Sequence, residues 1–135
     1  MVSAKFSPTR RRIIVADDHP VILQMVRRLL AEQPNFEVVG EATNGAQAVI
    51  LVQSLKPDVI VLDVAMPHMS GFEAARRILE AMPSVAVVIL STHTHEHFLR
   101  KAKECGAKGF VRKQDASERL VRAINTVTEG QEFFE

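Results

Sequence analysis

The sequence predicts a doubly wound α/β domain: a five-stranded parallel sheet with helices on both faces. Short continuous apolar runs recur at residues 13–16, 59–62, 85–90 and, more weakly, 109–111, the pattern of strands buried on both faces. Segments of helical period separate them. With an alternating segment at 36–41, the order is strand then helix, five times over, and no internal linker or low-complexity stretch interrupts it. Such an order gives a parallel sheet with right-handed crossovers.

The elements follow in chain order. Ile13, Ile14, Val15 and Ala16 form the first strand, and Pro20 opens a helix where its missing N–H does no harm. In that helix Ile22, Met25, Val26, Leu29 and Leu30 make one inward stripe, with Arg27 and Arg28 outward. Residues 36–41 alternate apolar and polar, as an edge strand does. Asn44, with Gln47 three residues on, starts a second helix carrying Ala46, Val49, Ile50 and Gln53. Ser70 and Glu73 form a capping-box pattern ahead of Phe72, Ala75, Leu79 and Met82. Thr94 to Cys105 is the thinnest helix, its stripe being Phe98, Leu99, Ala102 and Cys105. Asp115 and Glu118 repeat the cap signal before Leu120, Val121, Ile124 and Val127, and Gly130 ends the last helix.

Composition bounds the function. A chain of 135 residues fits one domain. Its formal charge of +1 hides an asymmetry: residues 1–12 carry Lys5, Arg10, Arg11 and Arg12 and no acid, leaving 13 basic against 16 acidic residues in the remainder. That acidic body argues against a nucleic-acid binder. Residues 1–11 read as a basic flexible leader, 12–130 as the domain, and 131–135 as the start of a linker or a C-terminal tail. The longest apolar run is six residues (85–90), too short for a bilayer. The one cysteine, Cys105, excludes an internal disulfide and suits a reducing cytoplasm, the expected location. It reads as a small packing residue.

In open parallel sheets, ligands bind beyond the carboxyl ends of the strands. Asp17 and Asp18 directly follow the first run and Asp63 follows the run 59–62, so three carboxylates meet at one edge. Like charges at that range raise one another's pKa unless a cation sits among them. A hard divalent ion with oxygen ligands, Mg²⁺ above all, resolves the repulsion. Ser91 and Thr92 end the fourth strand and Lys113 follows the fifth, adding hydroxyls and an ammonium. Each has a plainer reading: a helix-capping Asp, a Ser bonded to nearby backbone, a solvated Lys. Four strands delivering complementary groups to one crevice outweigh them. His93, His95 and His97 resemble a metal motif, but a helix starting near Thr94 turns them to different sides.

The runs Asp17-Asp18-His19-Pro20, Leu62-Asp63-Val64-Ala65-Met66-Pro67, Ser70-Gly71-Phe72-Glu73, Leu90-Ser91 and Gly106 through Lys113 resemble the receiver domain of bacterial two-component response regulators, with 45 residues from Asp18 to Asp63 and 22 from Ser91 to Lys113. His19-Pro20 and Gly109-Phe110-Val111-Arg112-Lys113-Gln114-Asp115-Ala116 are similar to the NarL/FixJ-like subfamily, whose receivers precede a helix-turn-helix DNA-binding domain. The resemblance implies a flavodoxin-like (CheY-like) three-layer sandwich of strand order 2-1-3-4-5. It implies that Asp63 accepts a phosphoryl group from a sensor histidine kinase, that Asp18, Asp63 and the Ala65 backbone carbonyl bind Mg²⁺ (or Mn²⁺) directly, and that Asp17 acts through water. Lys113 would supply positive charge, Ser91 would move to bond a phosphoryl oxygen, and Phe110 would turn inward behind it. A homodimer on phosphorylation, no membrane contact, and DNA binding only through an output domain absent from this chain complete the expectation. The chain would be a phosphoacceptor switch with its own phosphorylation and autodephosphorylation chemistry rather than a metabolic enzyme.

Two positions depart from the family pattern. Gln114 stands where a cis-proline is common, and Thr92, with Ala65, borders the phosphoryl group where a smaller residue is common at 92. Two rival functions have weaker support. A flavin carrier would need a Gly-, Ser- or Thr-rich phosphate loop where Asp17-Asp18 stands. A Mg²⁺-dependent aspartyl phosphatase would need an acid at Ala65. A transcription-regulator fragment and a stand-alone receiver acting through protein contacts both fit the sequence, with Phe133 and Phe134 either starting a severed linker or packing over the last helix.

Overall fold

A computed structural model of the chain describes residues 10–93 and 95–134. The basic leader expected over 1–11 falls almost wholly outside them; Arg11, its last residue, opens the first strand. The strands β1 (Arg11–Ala16), β2 (Phe36–Ala42), β3 (Val59–Asp63), β4 (Ala86–Ser91) and β5 (Gly109–Arg112) alternate with the helices α1 (Pro20–Ala31), α2 (Gly45–Leu55), α3 (Gly71–Ala81), α4 (Glu96–Glu104) and α5 (Ala116–Thr128). The sheet is parallel throughout, in the order β2-β1-β3-β4-β5. No helix among the described residues is long and apolar enough to cross a membrane.

Successive strand residues point to opposite faces, so each apolar run feeds two cores. Ile14, Ala16, Ile60, Leu62, Val87 and Ile89 pack with α2, α3 and α4. Ile13, Val15, Val59, Val61, Val88 and Leu90 pack with α1 and α5. The edge strand β2 holds one extra residue, because Ile13 pairs with Val38 but Ile14 with Gly40. Arg12 donates from its guanidinium to the Leu55 and Lys56 carbonyls. This basic residue therefore closes the C-terminus of α2, where a cation also meets the negative end of the helix dipole.

Helix readings need correction in α1, α2 and α5. In α1 Met25, expected in the inward stripe, is 39 % exposed, while Leu23, off that stripe, is buried. In α2 the residues Ala46, Ile50 and Gln53 face outward, Ile50 being 61 % exposed, while Ala48 and Val52 are buried and Leu51 and Leu55 pack beside them. The apolar content of α2 is high all round, so its period gave no unique inward face. At α5, Asp115 makes no side-chain cap. Its carboxylate pairs instead with Arg112 at 2.7 Å, within a 3-10 turn over Lys113–Asp115. The Ser70 cap is as expected, accepting from the Glu73 N–H at 3.2 Å. The reciprocal half of the box is not made, since Glu73 pairs with Arg76 and Arg77.

Beyond Gly130 the chain turns back along the sheet. The Phe133 N–H donates to the Lys108 carbonyl and the Phe110 N–H to the Phe133 carbonyl, at 2.9 and 2.8 Å. Residue 133 thus forms a parallel bridge on the outer edge of β5. Phe133 is 3 % exposed and packs on the α1 and α5 side, beneath Arg122. Phe134 packs on the opposite core under Lys103. The pair straddles the sheet edge and covers backbone groups that would otherwise be an open template.

Candidate functional site

Register brings the site together. Ala16 lies beside Leu62, Asp63 beside Leu90, and Ser91 beside Arg112. The residue at the end of each strand, or just past it, therefore emerges at one edge: Asp17, Asp63, Ser91 and Lys113. The loop between β3 and α3 is bent sharply. His68 takes a left-handed φ of 70°, and the Met69 N–H donates to the Pro67 carbonyl at 2.8 Å, the closure of a γ-turn, which is strained for a side chain larger than glycine. The Gly71 N–H bonds the Val64 carbonyl at 2.8 Å, and a Cβ on Gly71 would overlap the Asp63 carbonyl oxygen. Only glycine lets the start of α3 lie this close behind Asp63.

Asp17 and Asp63 are 1 % and 2 % exposed, while Asp18 is half-buried. The Lys113 ammonium bridges the first two, 3.0 Å from Asp17 Oδ2 and 3.0 Å from Asp63 Oδ1. Burial pushes the Asp63 carboxyl above its ordinary value; the Lys113 hydrogen bond opposes the shift, and the Asp17 charge adds to it. Burial pulls the Lys113 ammonium down, but its bonds to Asp63 and Asp17 outweigh that and leave it raised. The directions agree physically: one ammonium is shared by two carboxylates, so it gains more than either does. Asp63 Oδ2 is left buried with no hydrogen bond.

An orphaned buried carboxylate oxygen among three acids fits a divalent cation. Asp17, Asp18, His19 and Asp63 each offer one ligand atom, all within 4.8 Å of one another. His19 was not expected here from its residue type. Its backbone N–H donates to Asp17 Oδ1 at 2.8 Å, and its Nδ1 lies 3.0 Å from that atom and 3.1 Å from Asp18 Oδ1. The available signal was its place at the mouth of α1, directly after two acids and before Pro20.

The remaining expected residues fall as follows. Ser91 is buried at the strand end and its Oγ accepts from the His93 N–H at 2.9 Å, which leaves its hydroxyl proton available to donate. Thr92 and Ala65 are exposed at the rim. Phe110 is already inside, packed in the core shared with α2, α3 and α4. His93 stacks on Phe98 with ring centroids 4.5 Å apart, and His97 meets the same ring edge-on; among the described residues no metal-holding cluster includes them. Thr94 lies outside the described residues. No peptide bond among the described residues is cis, the one before Gln114 included.

Comparison with known proteins agrees with this geometry. A family model described as "Response regulator receiver domain" matches residues 13–125. The transcriptional regulatory protein DegU of Brevibacillus brevis is 37 % identical over 119 residues, which is 88 % of this chain and 50 % of that protein. The nitrate/nitrite response regulator protein NarL of Escherichia coli K12 is also 37 % identical over 119 residues, 88 % of this chain and 55 % of that one. The chain thus spans about half the length of the curated relatives it matches. Among solved structures, the signal receiver domain of the putative response regulator NarL from Mycobacterium tuberculosis superposes with a TM-score of 0.88 at 33 % identity, covering 92 % of this chain and all of that one.

Proposed function

The chain belongs to the response regulator receiver domains of two-component systems, and we propose that it is a phosphorylation-controlled switch whose phosphoacceptor is Asp63. One observation carries this reading: Asp63 Oδ2 is a buried carboxylate oxygen without a hydrogen bond, beside the ammonium of Lys113. It has acceptor capacity to spare in a site that offers it a cationic neighbour.

The donor is a sensor kinase's phosphohistidine. A carboxylate oxygen of Asp63 attacks phosphorus, the N–P bond breaks, and its electron pair returns to the imidazole, leaving an acyl phosphate. A loose phosphoryl-transfer transition state needs alignment and positive charge more than a general base. As a carboxylate, Asp63 attacks without needing a general base. Lys113 then leaves Asp63 Oδ1 for a phosphoryl oxygen, and the Ser91 hydroxyl donates to another. Asp18, Asp63 and the Ala65 carbonyl are the residues that would hold Mg²⁺ (or Mn²⁺), with Asp17 reaching it through water. When bound, the ion neutralises charge on the transferred group.

Loss of the Lys113–Asp63 pair and the new bonds to phosphate bias the surface formed by α4, β5 and α5. Each tenfold shift in population needs about 1.4 kcal/mol of differential binding, which a few charge-assisted hydrogen bonds can supply. The relative named as a transcriptional regulatory protein, DegU, is about twice as long as the matched region. The output is accordingly control of a helix-turn-helix domain, with homodimerisation as the intermediate step and the cytoplasm as the site of action.

Incubation with acetyl phosphate or phosphoramidate and Mg²⁺, followed by mass and oligomeric state, tests the reading. The expected result is one phosphoryl group per chain, absent in Asp63→Asn and absent without the metal. Undiminished labelling of Asp63→Asn overturns it.

A further inference from the structure

We propose that His19 is a direct ligand of the cation in this site and gives the site a preference for borderline transition ions, such as Mn²⁺ and Co²⁺, over Mg²⁺. The inference rests on the phosphoacceptor reading in that it takes a cation to sit among the three acids.

His19 is the N-cap of α1, with Pro20 fixing the first helical position, yet its side chain makes no capping bond. It is turned instead toward the acids, with Nδ1 3.0 Å from Asp17 Oδ1 and 3.1 Å from Asp18 Oδ1. Ligands about 2.1 Å from an octahedral ion lie roughly 3.0 Å apart when adjacent. The imidazole nitrogen thus stands from two carboxylates at the spacing of neighbouring ligands. Lys113 occupies Asp17 Oδ2 and Asp63 Oδ1 and the His19 backbone N–H bonds Asp17 Oδ1, so the carboxylate oxygens left for the ion include Asp18 Oδ1 and Asp63 Oδ2. Those two, the Ala65 carbonyl and His19 Nδ1 would make a mixed donor set of three oxygens and one nitrogen.

The nitrogen decides the selectivity. Mg²⁺ is hard and takes oxygen almost exclusively, whereas Mn²⁺ and Co²⁺ accept imidazole, with affinity rising along the series. A neutral histidine can bind through Nδ1 once its proton sits on Nε2. The ring is 59 % exposed, so solvent can carry that proton. An oxygen-only site would show a much flatter ranking of ions.

The full chain is titrated calorimetrically with Mg²⁺, Mn²⁺ and Co²⁺ separately, as wild type, His19→Ala and His19→Asn, with far-UV circular dichroism confirming the fold of each variant. The expected result is an affinity for Mn²⁺ and Co²⁺ that falls about tenfold in both variants, while the Mg²⁺ affinity changes less than about twofold. A strongly contact-shifted, exchangeable imidazole N–H signal in the proton NMR spectrum of the Co²⁺ complex, lost in both variants, is the direct readout. An unchanged ratio of Mn²⁺ to Mg²⁺ affinity in the variants overturns the inference and leaves the phosphoacceptor reading standing. Failure of the wild-type chain to bind any of the three ions overturns both.

Discussion

Gly71 stands so close behind Asp63 that a single added methyl group would overlap the Asp63 carbonyl oxygen. The first turn of α3 and the end of β3 are in effect one packed unit, held also by the bond from the Gly71 N–H to the Val64 carbonyl. Gly71→Ala must push α3 away or twist the Asp63 backbone. A destabilisation of about 2–3 kcal/mol is expected from overpacking of this kind, and phosphoryl labelling should fall with it. Chemical denaturation and labelling rate check the two effects separately.

Asp63 is held above its ordinary value of 3.8 by burial first, against the opposing Lys113 bond. A carboxyl raised in the folded state favours folding while protonated, below about 3.8, and that contribution is lost as pH rises through the raised value. Above the raised value the ionised group therefore opposes folding. Without metal, Asp63→Asn should raise Tm at pH 7, and the gain should vanish in acid. Adding Mg²⁺ should then stabilise the wild type more than the variant. Thermal melts at two pH values, with and without Mg²⁺, decide it; a lower Tm for Asp63→Asn at pH 7 would contradict the electrostatic account.

Phe133 contributes to the fold although it lies beyond the last helix. It is buried, bridged to β5 and covered by Arg122. Phe133→Ala should cost about 2–4 kcal/mol by loss of burial and the cavity left behind. Phe134→Ala, at a half-buried position, should cost clearly less. Equilibrium unfolding of the two variants gives the comparison, and equal costs would argue against the asymmetric seating of the pair.

The helix α4 is the least anchored element. Ala102 is its one buried residue, and Cys105 joins the core just past its end. Few buried contacts mean low local stability. Amide exchange over Glu96–Glu104 should proceed well before exchange in β1, β3 and β4, by at least tenfold in protection factor. Equal protection would remove α4 as the mobile part of the output face.

The chain showed its fold because strands buried on both sides are apolar without interruption, as in residues 59–62 and 85–90. Asp17, Asp63, Ser91 and Lys113 were legible for a related reason: polar residues at the ends of such runs have nowhere to go but the sheet edge. Periodicity misplaced the inward face of α2 because Ile50 is as apolar as Val52, and only packing against α3 and the sheet distinguishes them. The Asp115 cap failed because Arg112, three residues earlier, competes for the carboxylate. His19 escaped notice because ligand geometry depends on a side-chain direction that spacing does not encode. The seating of Phe133 on β5 needed a chain reversal after Gly130 that no local signal aimed.

The central claim is that one carboxylate, on Asp63, becomes an acyl phosphate. Borohydride reduces an aspartyl phosphate to homoserine, which marks the modified position permanently. After treatment with acetyl phosphate and Mg²⁺, reduction and peptide mapping, homoserine should appear at position 63 and at no other. Homoserine at position 17 or 18, or none in a chain that has bound the metal, would contradict the account.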